Sequence, residues 1–364
     1  MKIQMEALNA AYKVVEAVQT HAGLLTSQFV RVQPDGDGLK LNLTGLAIGE
    51  ATVPGSAIEL QKDKLPESDV YLDRRLFGGF LSMHKRAETV KLRTKDSGVT
   101  LISGSHKLDI SGSEFSGYQT WKPSKKGKAV ELTQEELKQL VLLRRYTSET
   151  SAADHLNAIR LVPGYGALAT DMFAMTVVLD KKTRLQGFFP SLLPGMVTGG
   201  VEAVVEPYGT GVLFPQGYLY QPVSENCAKS FPEKNLRTLV STVSKAKPVV
   251  SLPLKTLRDV FGQLMGFVFG STDQQTATVE CVGDAAKNLV TMRLKLAQGQ
   301  TERAFKHELS ADFELLWSAK YLSPWLEGIP DAETVACYRM DFGAAFVAKA
   351  DKRVYLLMVA EVEK

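Results

Sequence analysis

Apolar residues recur at helical spacing in three places that lie about a third of the chain apart. In each place a short β-like run leads into a stretch with apolar residues at i, i+3, i+4 and i+7, which predicts a helix with one buried face. The runs are Lys2–Met5, Ala129–Leu132 and Val249–Leu252. The predicted buried stripes are Leu8, Ala11, Tyr12, Val15 and Val18; Leu137, Leu140 and Val141; and Leu254, Leu257, Phe261 and Leu264.

Each third also repeats its second half, in which a short helix precedes two or three alternating strands. The predicted helices are Arg74–Met83, Pro190–Val197 and Ala319–Leu326. The strands are Thr89–Arg93, Val99–Ser103 and Lys107–Ser111; Glu202–Glu206, Gly211–Phe214 and Tyr218–Pro222; and Thr334–Met340, Ala344–Ala348 and Val354–Val359. A unit of this length is too long for a solenoid repeat, so we expect three similar α+β domains, 1–124, 125–244 and 245–364. Polar links are predicted at Trp121–Lys128 and Ser241–Lys247.

A predicted hairpin lies near the middle of the chain. Its strands, Leu156–Val162 and Leu168–Val178, are joined by Pro163–Gly166, and Thr170-Asp171 interrupts the second strand. The apolar residues that follow, Met172, Phe173 and Met175, are more than one face of the hairpin can bury. Two interpretations are open: a Met-rich groove that binds peptides, or ordinary core.

Composition and charge limit the function classes. The chain has 364 residues, 45% hydrophobic and 23% charged, with a net charge of +3. This balance argues against a surface that binds nucleic acid everywhere, so DNA contact requires local clusters of cations. Three widely separated cysteines suggest neither a disulfide framework nor a zinc site. The amino-terminal stretch contains Glu6 and Glu16, whereas a secretion signal needs an uncharged apolar stretch. No apolar run in the sequence is long enough to span a membrane, so we expect a cytoplasmic protein.

No catalytic motif is present. The sequence lacks a phosphate-binding loop, a His-Glu-x-x-His helix and a nucleophile elbow, and its five histidines are scattered singly. Binding is therefore the expected chemistry, with no enzymatic activity, cofactor or metal.

Basic residues lie on nearly every predicted helix, opposite the buried stripes. Such residues would form a positive track that holds DNA phosphates without reading bases. The alternative is that they are ordinary solvated helix faces. The candidates are Lys13, Arg74, Arg75, Lys138, Arg144, Arg145, Lys255, Arg258 and Lys320.

Several short motifs resemble the bacterial DNA polymerase III beta subunit, the sliding clamp. His155-Leu156-Asn157 followed by Leu168–Asp171 is similar to the family's middle domain, where Leu-Asn precedes an Ala-Thr-Asp-Gly-His-Arg strand. The order and spacing of the motifs extend the resemblance over essentially the whole chain. The other matching segments are Leu72–Phe77, Ser113–Trp121, Phe231–Glu233 and Tyr355–Met358.

The resemblance implies a fold and a set of partners. It implies three sliding-clamp domains per chain, each of β-sheets with two helices, and two chains in a head-to-tail dimeric ring around duplex DNA. The implied partners are duplex DNA bound without sequence preference, the replicative DNA polymerase, the clamp loader, other clamp-motif proteins and a second copy, with no membrane. Partner peptides would enter a hydrophobic pocket comprising Leu156, Thr170, Met172, Phe173, Ala174, Met175, Leu239, Val240, Leu356, Met358, Val359 and Ala360.

This sequence departs from the family's pattern at the pocket. Met172-Phe173-Ala174 stands where the family has Gly-His-Arg, and Met358–Glu361 stands where it has Met-Pro-Met-Arg. Asp154 and His155 replace two aromatic residues that touch DNA in the family. We therefore expect a pocket that accepts a more apolar peptide. The alternative function is a clamp-like peptide-binding scaffold, or a competitor of a clamp, that does not encircle DNA.

Overall fold

A computed structural model describes most of the chain. The described residues are 1–18, 24–45, 47–60, 66, 68–95, 98–111, 115–124, 127–147, 156, 158–190, 201–206, 209–223, 225–268 and 276–360. The helices are α1 (Met5–Glu16), α2 (Arg74–Met83), α3 (Gln134–Arg144), α4 (Glu225–Ser230), α5 (Glu233–Lys245), α6 (Leu254–Met265) and α7 (Ala319–Gly328). Within these residues, no helix is long and apolar enough to cross a membrane.

Strands make up most of the regular structure. In the first third they are β1 (Lys2–Gln4), β2 (Phe29–Asp35), β3 (Gly38–Thr44), β4 (Ile48–Val53), β5 (Ile58–Glu59), β6 (Val70–Asp73), β7 (Thr89–Lys95), β8 (Gly98–Ser103) and β9 (His106–Ser111). The second third contains β10 (Lys128–Leu132), β11 (Ala158–Val162), β12 (Gly166–Thr170), β13 (Ala174–Leu179), β14 (Gly187–Pro190), β15 (Val201–Glu206), β16 (Gly209–Phe214) and β17 (Gly217–Pro222). The last third contains β18 (Val250–Pro253), β19 (Thr278–Asp284), β20 (Leu289–Leu296), β21 (Gly299–Lys306), β22 (Phe313–Ser318), β23 (Thr334–Met340), β24 (Gly343–Ala350) and β25 (Arg353–Ala360).

The chain divides into two compact units. The first unit comprises Met1–Thr133 and Gly195–Val223. It contains a five-stranded sheet, in the order β5-β1-β7-β8-β9, and an eight-stranded sheet, in the order β10-β15-β16-β17-β4-β3-β2-β6. The larger sheet joins strands from two thirds of the chain, because β17 pairs with β4 in antiparallel register from Gly217↔Ala51 to Tyr220↔Ile48.

The second unit, Gln134–Pro194 and Ser224–Lys364, repeats this plan. Its eight-stranded sheet has the order β14-β11-β12-β13-β25-β24-β23-β18, and its four-stranded sheet has the order β21-β20-β19-β22. Here too, strands from the second and last thirds of the chain share one sheet, because β25 pairs antiparallel with β13 from Val354↔Leu179 to Ala174↔Val359.

The helices pack their apolar stripes on these sheets. The predicted stripes of α1 and α6 are buried throughout, including Val18, which lies just beyond the end of α1. Below α7, the Trp317 and Phe346 rings meet edge to face, with centroids 5.0 Å apart. The fold is therefore α+β, with antiparallel sheets and few helices, as the sequence predicts.

The bounds of several elements agree with the prediction, and α2 and β23 agree at both ends. The predicted stripe of α3 is only partly right, because Val141 is half-buried while Leu142 and Leu143 are buried. The reason is that α3 packs both on strands β11 to β13 and on α7, so more than one of its faces is covered. The predicted helix Pro190–Val197 lies outside the described residues, apart from Pro190.

The predicted link Ser241–Lys247 is wrong, because its first five residues belong to α5. Leu236, Val240 and Val243 lie on one buried face of this helix. Its hydroxyl groups bond within the helix: Thr242 Oγ1 donates to the Thr238 carbonyl (3.1 Å), and Ser244 Oγ donates to the Ser241 carbonyl (2.8 Å). A polar composition therefore does not indicate a loop here.

The predicted strand Leu168–Val178 is also wrong, because it is two strands, β12 and β13, that pair with each other. The interruption at Thr170-Asp171 is a tight turn. The second link, Trp121–Lys128, begins at a buried residue: the Trp121 ring stacks on Tyr220 at 4.9 Å, which anchors this connection.

An ion pair fastens the start of β25 to the end of β13. Arg353 Nε donates to Asp180 Oδ2 at 2.8 Å, and Arg353 also pairs with Glu135 of α3. The side chains of Arg353 and Asp180 are only 15% and 13% exposed. Burial acts to raise the pKa of Asp180, but the hydrogen bonds from Arg353 and the Lys182 amide outweigh burial and lower it below 3.8.

We predict that Arg353→Met lowers the free energy of unfolding at neutral pH by about 1.5–3 kcal/mol, since it leaves a buried carboxylate without its charged donor. The measurement is urea unfolding, and the matched control is Arg339→Met, an exposed arginine in the same sheet. Because the folded-state pKa of Asp180 is lowered, its contribution is complete above the ordinary value of 3.8 and is lost as the pH falls through the folded-state value. The difference between wild type and variant should therefore shrink in acid, and a constant difference would contradict this assignment.

Candidate functional site

The turn between β12 and β13 presents two exposed apolar side chains. Asp171 Oδ1 accepts hydrogen bonds from the backbone N–H groups of Phe173 (3.0 Å) and Ala174 (2.9 Å). Thr170 Oγ1 donates to the Ala174 carbonyl (2.8 Å) and accepts from the Met172 N–H (3.1 Å). These bonds hold Met172 at φ 80°, a left-handed conformation that costs a residue with a side chain about 1–2 kcal/mol.

Two further bonds attach the turn to the last third of the chain. Tyr321 of α7 donates its hydroxyl to Asp171 Oδ2 at 2.9 Å, and the Ala360 N–H of β25 donates to the Phe173 carbonyl at 2.8 Å. Burial, and then the negative charge of Asp171, raise the pKa of the Tyr321 hydroxyl well above 10.0. Tyr321 therefore remains a proton donor at any physiological pH.

As a result, Met172 is 77% exposed and Phe173 is 67% exposed on a backbone fixed from both sides. Large apolar groups held this far into solvent are typical of surfaces that bind another molecule. Because the backbone is already ordered, a partner would not have to order it on binding.

Several of the other predicted pocket residues lie next to this turn in the sheet. Register places Thr170 opposite Met175, and Met175 opposite Met358, so these three share one face of the sheet; Ala174 pairs with Val359 on the opposite face. Most are closed core: Leu156, Thr170, Ala174, Met175, Val240, Leu356, Met358 and Val359 are buried. Leu239 and Ala360 are half-buried. Their contact with a peptide stays a prediction, and the buried ones are part of the core.

Leu239 and Val240 lie on α5, which is fastened to the same sheet face. In register, Arg160 lies opposite Leu168, in the row that continues to Val177 and Leu356. Arg160 Nε donates to Glu233 Oε2 of α5 at 2.8 Å. Burial acts to raise the pKa of Glu233, and its bonds with Arg160 and Arg237 outweigh burial and lower it. The helix is therefore anchored over the face that carries Leu356 and Met358.

Two of the predicted DNA-binding arginines cap helices. Arg258 donates through Nε to the Leu326 carbonyl (2.9 Å) and through Nη2 to the Ile329 carbonyl (2.7 Å), and its Nη1 pairs with Asp331 (2.6 Å). Arg74 donates through Nη2 to the Glu16 carbonyl (2.5 Å) at the end of α1. A cation at a helix C-terminus satisfies carbonyls that have no partner within the helix. A phosphate would have to compete with these bonds.

Other cations remain accessible. Arg145 is exposed but pairs with Glu327 at 3.1 Å, and Arg144 is half-buried. Lys320 Nζ lies 5.2 Å from the centroid of the Tyr321 ring. Among the predicted DNA-binding residues, the exposed cations without a backbone carbonyl partner in the described contacts are Lys13, Arg75, Lys138, Lys255 and Lys320. Their contact with DNA stays a prediction.

The sequence reasoning missed Asp171 as an acceptor and both Tyr146 and Tyr321. Tyr146 donates its hydroxyl to the Tyr321 carbonyl at 2.6 Å, which ties the end of α3 to α7. No local pattern marks these tyrosines, since their partners lie 150 or more residues away. Only the Thr-Asp interruption in an apolar run indicated that the turn was unusual.

No group of three or more metal-ligating side chains occurs in the described part of the chain. Cys281 and Cys337 are buried free thiols. His84 and His106, far apart in sequence, bring their rings to 5.0 Å. The predicted departures at Asp154, His155 and Glu361 lie outside the described residues.

Comparison with known proteins shows which fold this is. No protein-family model matches the sequence, and no curated protein matches it. Among solved structures, the DNA polymerase III beta subunit of Thermotoga maritima is 12% identical and superposes with a TM-score of 0.76, over 100% of this chain and 99% of that one. The beta subunit of Pseudomonas aeruginosa is 16% identical, with a TM-score of 0.70 and full coverage of both chains. The Helicobacter pylori beta clamp bound to a DNA ligase peptide is 12% identical, with a TM-score of 0.69 and full coverage of both. The chain therefore has the sliding-clamp fold over its whole length.

We predict that Tyr321→Phe loosens the Met172–Phe173 turn, because Asp171 loses its bond to α7. Hydrogen–deuterium exchange should show faster exchange of the Phe173 and Ala174 amides, and the free energy of unfolding should fall by about 1.5–3 kcal/mol. Tyr338→Phe on β23 serves as the control. Unchanged exchange at Phe173 and Ala174 would show that Tyr321 does not hold the turn.

Proposed function

We propose that this chain is a DNA sliding clamp, a homodimeric ring that encircles duplex DNA and tethers the replicative DNA polymerase. The observation that carries the proposal is the fold match, which covers 100% of the chain and 99–100% of the clamps it resembles. The match leaves no part of the given sequence outside the clamp fold. We accordingly propose a binding protein of the cytoplasm rather than an enzyme, without a cofactor.

In this proposal, the chain comprises three clamp domains, 1–124, 125–244 and 245–364, and two chains supply six. The shared sheets support this division, since each unit joins strands from two thirds of the sequence. The compact units then reflect the strength of these sheets rather than the boundaries of the repeats.

DNA would be held through phosphates by the accessible lysines and arginines of the helices. Five exposed cations on α1, α2, α3, α6 and α7 support this step: Lys13, Arg75, Lys138, Lys255 and Lys320. A ring needs only weak contacts of this kind, because topology prevents dissociation and tight contacts would slow sliding. The net charge of +3 is in keeping with weak contact.

Partner proteins would bind at the Met172–Phe173 turn. The peptide-bound clamp of Helicobacter pylori supports a peptide site on this fold. Here the exposed groups are apolar, where the family's pattern has Gly and His, so the preferred peptide would be more apolar. We propose the replicative polymerase, the clamp loader and other proteins with clamp-binding motifs as users of this site.

One observation favours a peptide-binding scaffold that does not encircle DNA. Arg74, Arg145 and Arg258 are engaged by protein carbonyls and carboxylates, so fewer cations remain for phosphates than the sequence suggests. The following experiment separates the two functions.

We predict a solution mass of twice 39.9 kDa by light scattering, and weak, salt-dependent binding to duplex DNA. Reversing the five exposed cations to Glu should weaken binding about tenfold or more and flatten its salt dependence, because each phosphate contact adds to the salt slope. The control reverses five exposed cations outside the helices: Lys91, Arg93, Lys107, Lys306 and Arg339. A monomer at all concentrations, or binding that the helix reversals leave unchanged, would favour the scaffold.

We predict that Met172→Glu with Phe173→Glu abolishes stimulation of the replicative polymerase and leaves the melting temperature unchanged, since both side chains are exposed. A charged substitution at Met358 would not test the partner site, because Met358 is buried and a charge there would destabilise the fold. Leu60→Glu, another exposed apolar residue, is the matched control. Full stimulation by the double variant would remove the turn from the partner site.

A further inference from the structure

The methionines near the candidate partner site differ strongly in exposure. Met172 is 77% exposed at the turn between β12 and β13, whereas Met175 and Met358, which lie opposite each other in the same sheet, are 4% and 2% exposed. Elsewhere in the described ranges, Met83 is 72% exposed, and the half-buried or buried methionines are Met265, Met340, Met1, Met5 and Met292. An oxidant dissolved in water therefore reaches Met172 and Met83 first among the described methionines.

The described thiols do not compete for such an oxidant. Cys281 and Cys337 are buried, and burial raises the pKa of Cys281 well above its ordinary 9.0 and that of Cys337 to about 12. Because the thiolate is the form that reacts, both groups are inert at neutral pH. The thioether of a methionine needs no deprotonation, so its reactivity follows its access to solvent.

Met172 occupies a backbone position that favours glycine. Its φ of 80° is left-handed, a conformation that glycine adopts without a steric cost and that other residues adopt only at a cost. Since the Met172 side chain is mostly exposed, it buries little apolar surface to offset that cost. Its contribution is therefore to the surface that the turn presents rather than to the core.

Oxidation at this turn would change polarity and leave packing intact. A methionine sulfoxide carries a polar S=O group where the thioether was apolar. A partner that buries Met172 beside Phe173 gains the free energy of removing an apolar side chain from water, and the sulfoxide forfeits most of that gain. In the free protein the added oxygen meets solvent, so we expect the stability of the fold to be unchanged.

We propose that Met172 is a reversible oxidation site, and that its sulfoxide lowers the affinity of the Met172–Phe173 turn for apolar partner peptides. The oxidant is a peroxide: its O–O bond breaks, one oxygen atom is transferred to the sulfur, which loses two electrons, and water or an alcohol leaves. In the reverse step, two thiols of a methionine sulfoxide reductase supply two electrons and two protons, the oxygen leaves as water, and the thiols become a disulfide. The inference rests on the proposed partner site and adds a regulation of it.

The geometry of the turn suits both directions of this chemistry. The bonds that hold the turn run from Asp171 and Thr170 to backbone groups, and none of them involves the Met172 side chain. The turn can therefore keep its conformation whether or not the sulfur carries oxygen. The exposure that admits a peroxide also admits a reductase. Met175 and Met358 differ in this respect, because a sulfoxide in the core would disrupt its packing.

The first experiment tests the selectivity of oxidation. The parent protein for all measurements carries Cys227→Ser, which removes the thiol not considered above. It is treated with dilute hydrogen peroxide, and peptide mapping by tandem mass spectrometry follows each methionine. Met172 should oxidise at least about tenfold faster than Met175 and Met358, because their sulfurs are shielded from solvent. The melting temperature should not change while Met172 is converted. Equal rates at Met172 and Met358 would overturn the assignment.

The second experiment measures partner binding as stimulation of the replicative polymerase over a range of clamp concentrations. After oxidation, half-maximal stimulation should require about tenfold more protein or greater, since this is the affinity that burial of a methionine side chain supplies. Reduction by methionine sulfoxide reductases of both stereospecificities should restore the original value. Met172→Gln, a polar side chain of similar length, should show the deficit without peroxide.

Two leucine variants identify the methionine that is responsible. Whatever its own basal stimulation, Met172→Leu should lose nothing further on peroxide treatment, whereas the matched control Met83→Leu should respond as the parent does. A loss that persists in Met172→Leu, or full stimulation by protein whose Met172 is completely converted, would overturn the inference and leave the proposed clamp function intact. A parent protein that does not stimulate the polymerase before oxidation would overturn both.

Discussion

The structure depends on antiparallel pairing between strands that belong to different thirds of the chain. β25 with β13, and β17 with β4, each turn two small sheets into one of eight strands. An edge strand presents unpaired backbone groups, and pairing two such edges satisfies both at once. Arg353 reinforces the first of these pairings by reaching Asp180 and Glu135, so charge and backbone bonds stabilise the same boundary.

The candidate site is built on that boundary. Asp171 receives bonds from its own turn and from Tyr321, while Ala360 fastens the turn to the last strand. The geometry of the site therefore depends on residues from both sides of the shared sheet. This arrangement explains how Met172 keeps a left-handed backbone conformation and how Met172 and Phe173 stay exposed without collapsing on the core.

Periodicity predicted the helices that have one apolar face. It was less successful for α3, which is buried on more than one face, and for the end of α5, which has a polar composition. The stripes of α1 and α6 follow directly from i, i+3, i+4 spacing, because the buried residues of each helix lie on a single face. The sequence predicts a link at Ser241–Lys247 because serine and threonine make the end of α5 look polar, whereas the Thr242 and Ser244 hydroxyls bond within the helix. The resemblance grouped Met172 and Phe173 with buried residues such as Met358 in one predicted pocket, and it did not indicate that these two side chains lie on an exposed turn. Arg258 shows the same limit, since an arginine that caps a helix and one that faces solvent look alike in sequence.

The pairing of β13 with β25 also has a consequence for the order of events during biosynthesis. Thr176 and the Leu356 carbonyl that it bonds are separated by 180 residues. A ribosome therefore releases β13 long before its neighbour exists, and the emerging chain carries an open sheet edge for many seconds at ordinary elongation rates of about 5–20 residues per second. During that interval the nascent protein is exposed to mispairing with other chains. Its yield in the cell should then depend on how quickly translation reaches the last strand, and on whether chaperones cover that edge until it does.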